Sequence, residues 1–166
     1  AMVIIERILH DPEEKVSVSF LENKVVVTTA KVKIMANLVQ GRFPKYSDVV
    51  PVGCDKIVKM DTEPLHSCIR RAALLTNESS KGIKMEFTKD LLDVSSSTPE
   101  TGDAEAKMPV KYDSEDFTIG FNPQYVLDLL RIVEEPEVIG EFSNSDKPGM
   151  FKVGKDFLYV IMPVEV

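Results

Sequence analysis

The chain has 166 residues, 43% of them hydrophobic, and a formal net charge of −7. That length supports one domain, or one and a half, around a real core, and the acidic balance argues against nonspecific adhesion of the whole surface to nucleic acid. No apolar run approaches the ~20 residues that cross a bilayer, the start lacks the basic-then-apolar layout of a secretion signal, and two cysteines form neither a disulfide framework nor a metal spacing. A soluble, cytoplasmic protein is expected, with reduced thiols, no membrane association and no cofactor. Ala1 ahead of Met2 reads as a cloning remnant.

In chain order, Met2–His10 is expected to be a helix, with Val3, Ile4, Ile8 and Leu9 inward and Glu6, Arg7 and His10 outward. No capping residue precedes it. After Asp11-Pro-Glu-Glu come three strands, Val16–Phe20, Lys24–Thr29 and Lys31–Val39, the first two joined at Glu22-Asn23. Val18, Phe20, Val25 and Val27 alternate with period two, as in a half-buried sheet. From Gly41 to Gly53 the breakers Pro44, Pro51 and Gly53 interrupt apolar residues, which reads as an ordered connector.

Lys56–Met60 is a strand, and Asp61 or Thr62 caps a helix that tolerates Pro64 in its first turn and runs to about Thr76. That helix turns Leu65, Ile69, Ala72 and Ala73 inward and His66, Arg70 and Arg71 outward. Ile83–Thr88 and Leu91–Ser96 read as a hairpin, Ser97–Glu105 as a polar loop, and Lys107–Tyr112 and Glu115–Phe121 as strands. Asn122 followed by Pro123 is a strong helix start. Tyr125 or Val126, then Leu129, Leu130 and Val133, face inward there, while Gln124, Asp128 and Arg131 face out. Val138–Phe142, Gly149–Val153 and Phe157–Val164 close the chain.

The same order, helix then turn then three strands, recurs three times, with helices opening near Met2, Glu63 and Pro123. The period of roughly 60 residues exceeds that of solenoid repeats. A further strand precedes the second and third helices but not the first. The second and third units therefore make one two-helix domain, the first is half of one, and the chain reads as the C-terminal piece of a longer repeated protein. The fold class is α+β, with helices on one face of antiparallel sheets.

Catalytic chemistry finds no support. The two histidines lie on different helices without a carboxylate at dyad or ligand spacing, and there is no glycine-rich phosphate loop, nucleophile elbow or cysteine–histidine pairing. Glu13-Glu14 and Glu134-Glu135 sit at helix ends beside prolines, where solvated charge is the default. Arg7, Arg70, Arg71 and Arg131 fall on helix surfaces while most acids fall in turns. They are either ordinary solvated faces or a locally positive strip able to track phosphates. No aromatic platform for stacked bases accompanies them. Phe43, Pro44, Val49 and Val50 in the connector and Val160–Val164 at the end carry more hydrophobe than their positions require. The tail is either the last core strand or one wall of a shallow groove for a short peptide.

Four stretches then resemble one family, in order: Gly41–Tyr46, Arg71–Ile83, Ile119–Leu130 and Tyr159–Val166. The resemblance is to the bacterial DNA polymerase III beta subunit, the sliding clamp. It implies the DNA-clamp fold, three similar domains per subunit and two subunits closed head to tail around duplex DNA. On it, residues 1–43 correspond to the second half of the middle domain, 44–55 to the linker and 56–166 to the C-terminal domain. The implied function is non-enzymatic: tethering the replicative polymerase, clamp loader and repair factors to DNA without base readout, any transferase activity belonging to the complex.

The implied peptide pocket is Pro44, Asp48, Val49, Asn122, Tyr125, Pro148, Val160, Ile161, Met162, Pro163 and Val164. Asp48 stands where an arginine is often found, and Glu165 replaces a basic or polar tail residue. The implied DNA-facing set is Arg7, Arg70, Arg71 and Arg131, and the implied subunit contact is Leu74, Leu75, Asp103 and Glu105. With the first domain and part of the second outside this chain, it is expected not to close the normal ring. Two copies could instead pair their first units. The competing reading is a β-rich peptide-binding adaptor unrelated to DNA.

Overall fold

The computed structural model describes residues 2–9, 11, 13–41, 45–76, 82–98 and 102–166. Two compact units, Ala1–Pro44 and Lys45–Val166, divide the chain. His10, Phe43, Pro44 and the turn at 77–81 lie outside the described residues. Among those described, no helix is long and apolar enough to cross a membrane.

Unit 1 has a helix, α1 (Met2–Ile8), and an antiparallel meander, β1 (Ser17–Phe20), β2 (Lys24–Thr28) and β3 (Lys33–Asn37), in that spatial order. The Leu21 N–H donates to the Lys24 carbonyl at 2.8 Å, closing the hairpin at Glu22-Asn23 as expected. Burial departs from the sequence reading. Val26 and Val27 are buried, but every residue of β1 is exposed, Phe20 at 75%, and so are Val3 and Ile4 on α1. The period-two pattern makes an apolar face. It does not supply the layer that covers it.

Unit 2 opens with a short helix, α2 (Tyr46–Val49), inside the expected connector. The repeat follows twice. The first copy is β4 (Lys56–Asp61), α3 (Thr62–Ala73), β5 (Ile83–Thr88), β6 (Leu91–Thr98) and β7 (Gly102–Pro109). The second is β8 (Phe117–Phe121), α4 (Pro123–Ile132), β9 (Glu137–Phe142), β10 (Gly149–Val153) and β11 (Phe157–Ile161). The sheets are antiparallel, ordered β11-β10-β9-β4 and β7-β6-β5-β8. Each copy lends its first strand to the other copy's sheet, so neither four-stranded sheet is complete without both repeats.

α3 packs along β6, β7 and α4. Its buried stripe is Leu65, Cys68, Ile69 and Ala72, at the helical spacing that produces an apolar face. Where the sheets meet, Phe142 is the hub of an aromatic cluster, with ring centroids 5.4 Å from Phe87 and 5.7 Å from Phe117 and Phe151. Such rings bury large apolar areas and gain further from tilted and edge-on geometry.

Several boundaries differ from expectation. α3 stops at Ala73 rather than Thr76, and Thr76 turns back to donate from its hydroxyl to the Ala73 carbonyl at 2.9 Å. The expected loop at Ser97–Glu105 is largely strand, with β6 reaching Thr98 and β7 opening at Gly102. The polar composition of Ser97–Glu105 conceals the pairing of Ser97 with Asp103 and Thr98 with Gly102, and just before it buried Ser96 donates to the Ala72 carbonyl at 2.7 Å. Between Tyr125 and Val126, Val126 faces inward and Tyr125 is 52% exposed. β11 ends at Ile161, short of the expected Val164, because Pro163 and, beside β10, Pro148 have no N–H to continue the ladder.

Candidate functional site

The start of α4 is set by local chemistry. Asn122 accepts the Gln124 N–H at 2.9 Å and Pro123 opens the first turn, as expected of this pair. That start holds Tyr125 outward over β11, where Tyr159 lies partly buried. Burial, then the nearby Asp128 carboxylate and Tyr125, push the Tyr159 hydroxyl above its ordinary pKa.

Side chains on β11 alternate. Tyr159 lies opposite Phe151, on the core face, and Val160 opposite Met150, on the other. Ile161, which the resemblance assigns to the pocket, is 3% exposed and belongs to the core, while Met162 just beyond it is 61% exposed. Continuing the β10–β11 register by one residue sets Pro148 beside Met162.

Glu141, Met150 and Val160 form one row across β9, β10 and β11. Half-buried Cys54, at the end of the connector, lies beside that row. Its thiol pKa is raised by burial first and by Glu141 second, with Lys152 opposing. Glu141 accepts from Lys152 Nζ at 2.6 Å on the same face. The end of the connector and the Val160 side of the tail therefore share one surface. Because β11 is the sheet's edge, Tyr125 and Tyr159 on one face and Val160 on the other border a common rim. Asp48 and Val49 sit on α2, which buries no residue. Pro44 lies outside the described residues.

The clefts beside the tail open onto the β7-β6-β5-β8 sheet. One of about 740 Å³ is lined by Thr118, Gly120, Asp146, Pro163 and Val164. Another of about 580 Å³ is lined by Lys84, Asp93, Asp103, Glu105, Glu165 and Val166. Asp103 and Glu105 in the second lie on β7, where the composition reads as a loop, and Lys84 and Asp93 come from the neighbouring strands.

Arg70 and Arg71 are exposed in the last turn of α3, and Arg131 in the last turn of the adjoining α4. Cations there also complement the helix dipole. Arg71 Nε donates to the Ser67 carbonyl at 3.4 Å, which leaves its charge in place, and Arg131 pairs with Asp128 at 3.1 Å, which offsets its charge within α4. Arg7 is exposed at the end of α1, in unit 1.

Leu74, just past α3, is 75% exposed and Leu75 half-buried. Asp103 and Glu105 lie on β7, an edge strand along which α3 packs. Among the described residues β7 pairs with one strand only, β6. Lys107 bridges Glu105 at 2.6 Å and Asp93 at 3.0 Å, lowering the Glu105 pKa and raising its own. Among the described residues no cluster of three or more His, Cys, Asp or Glu could hold a metal ion.

The family described as DNA polymerase III beta subunit, C-terminal domain, matches residues 47–165. A beta sliding clamp of Pseudomonas putida is 32% identical over 164 residues, 98% of this chain and 45% of that protein. The solved DNA polymerase III subunit beta of Pseudomonas aeruginosa aligns with a TM-score of 0.80 at 30% identity, over 99% of this chain and 46% of that one. A sliding clamp from the same organism, solved bound to griselimycin, aligns with a TM-score of 0.77 at 29% identity, over 99% of this chain and 45% of that one. The chain thus spans a little under half the length of the relatives it matches.

Proposed function

The chain belongs to the DNA polymerase III beta subunit family, through its C-terminal domain, and on that premise we propose that it serves as part of a sliding clamp, a non-catalytic processivity factor. In the whole protein, a ring encircles duplex DNA and touches phosphates weakly, without base readout. Replicative polymerase, clamp loader and repair proteins dock on it through short peptides. Residues 1–43 act as the second half of a middle domain, 44–55 as a linker and 56–166 as the C-terminal domain. This reading leaves the DNA-independent adaptor without an observation of its own.

The peptide site is proposed at Asn122, Tyr125, Pro148, Val160 and Met162, with Pro163 and Val164 on the tail and Pro44, Asp48 and Val49 on the linker side. Its carrying observation is Met162, 61% exposed between buried Ile161 and the pinned Val164. A large, pliable apolar side chain held out to solvent at a sheet edge suits a peptide partner. Ile161 supports the site from beneath. The DNA-facing role goes to Arg7, Arg70, Arg71 and Arg131, and the subunit contact to Leu74, Leu75, Asp103 and Glu105.

Titration with a polymerase-derived clamp-binding peptide tests the site. The expected affinity is about micromolar, on the order of −8 kcal/mol, and Met162→Ala is expected to weaken it with thermal stability unchanged. Equal affinity in the variant would remove Met162 from the site. Retention on nicked circular DNA tests the ring in the full-length protein.

A further inference from the structure

Two glycines, Gly82 and Gly120, lie under the last residues of the chain, and backbone conformation does not explain them. Neither has positive φ, unlike Gly41, Gly53, Gly102 and Gly154. What explains them is close approach. A Cβ at Gly120 would fall on the Val164 carbonyl oxygen and within 2.8 Å of both Val166 methyls. A Cβ at Gly82 would meet a Val166 methyl and come to 3.1 Å from a Val164 methyl. Gly120 pairs with Lys84 across β8 and β5, and Gly82 stands two residues before Lys84, so both glycines open the same face of the sheet. The tail runs over that face, and the Val164 N–H donates to the Gly120 carbonyl at 3.0 Å.

Met162 and Pro163 therefore form a short arch fixed at both ends. Ile161 is buried in the core on one side, and Val164 is hydrogen-bonded to β8 on the other. We propose that Gly120 and Gly82 are positioning residues: their missing side chains form the seat in which Val164–Val166 rest, and that seat holds Met162 in the orientation a partner peptide meets. Neither glycine touches the peptide. The gain is preorganisation, since an arch already ordered loses less freedom on binding.

The two seats differ in kind. At Gly120 the obstacle is backbone, which cannot be trimmed. At Gly82 the first obstacle is the end of a side chain, which can. That asymmetry separates positioning from general damage. The clause about Met162 rests on the peptide-binding reading above; the clause about the tail does not.

The test uses the 166-residue chain, with amide exchange at Val164 reporting the tail and titration with the polymerase-derived clamp-binding peptide reporting the site. Gly120→Ala is expected to speed Val164 exchange and weaken peptide binding by about tenfold, and adding Val166→Ala is expected not to restore either. Gly82→Ala is expected to weaken binding by about threefold, and adding Val166→Ala to return it to the level of Val166→Ala alone. Unchanged Val164 exchange in Gly120→Ala would overturn the proposal, as would failure of Val166→Ala to relieve Gly82→Ala. If Gly120→Ala does not fold, the Gly82–Val166 cycle decides by itself. A wild-type chain that ignores the clamp-binding peptide while Val164 exchange follows the expected pattern would sink the peptide-binding reading and leave the seat standing.

Discussion

Units 1 and 2 share one sequence pattern, a helix and three strands, yet only unit 2 turns it into a closed core. In unit 2 the two repeats exchange β4 and β8, completing both sheets and enclosing Phe87, Phe121, Phe142 and Phe151. In unit 1, among the described residues, the three-stranded sheet receives no such strand, and Val18, Phe20, Val3 and Ile4 remain exposed. The repeat is thus a half-core. Periodicity marks the face to be covered, and a second copy does the covering.

The contrast can be broken most forcefully at the aromatic hub. Phe142→Ala is expected to destabilise unit 2 by about 3–5 kcal/mol, read from amide exchange of its strands, because four rings lose their common neighbour. A loss below that of a surface substitution would mean that the exchanged strands do not depend on this cluster.

The two helix starts of unit 2 offer a smaller test. Asn122→Ala is expected to cost about 1 kcal/mol, since its side chain satisfies the Gln124 N–H. Asp61 makes no such bond at the start of α3, so Asp61→Ala is expected to cost only a few tenths of a kcal/mol. Equal losses in chemical denaturation would show that the cap geometry does not govern these helices.

A pH series sharpens the picture further, because both cysteines lie in unit 2. Burial raises the Cys68 thiol above 9.0. Its contribution to stability is full below that value and is lost as pH rises through the raised pKa. Unit 2 is therefore expected to weaken in the alkaline range, with a shallower decline in Cys68→Ala. An unchanged slope would exclude this thiol as the source.

The smallest effect belongs to unit 1. Phe20→Ala is expected to change its stability by less than about 0.5 kcal/mol, because a side chain 75% exposed has little packing to lose. A loss of core size would show that this face is covered in solution.

Much of the architecture was legible along the chain. Asn122-Pro123 announced α4, the stripe through Leu65 and Ile69 announced the buried face of α3, and the tripled pattern announced the repeat. Local composition failed where tertiary contacts overrode it. Ser97 and Thr98 read as loop because composition cannot show that Asp103 and Gly102 lie opposite them on β7. α2 was lost among the breakers of the connector, and Ile161 could not be told from Val160 until one side of β11 was known to face the core. Arg70, Arg71 and Arg131 are legible as basic residues on helix surfaces, but the Arg131–Asp128 pair that offsets one of them depends on side-chain geometry.

By itself, the order of residues determined the Asn122 cap, the apolar faces of α3 and α4 and the repeated pattern, since each follows from spacing along the chain. Tertiary structure alone decided the exchange of β4 and β8, the open face of unit 1, and the seat of Gly82 and Gly120 beneath Val164–Val166. Each of these requires segments distant in sequence to meet, and burial and close approach exist only once they do.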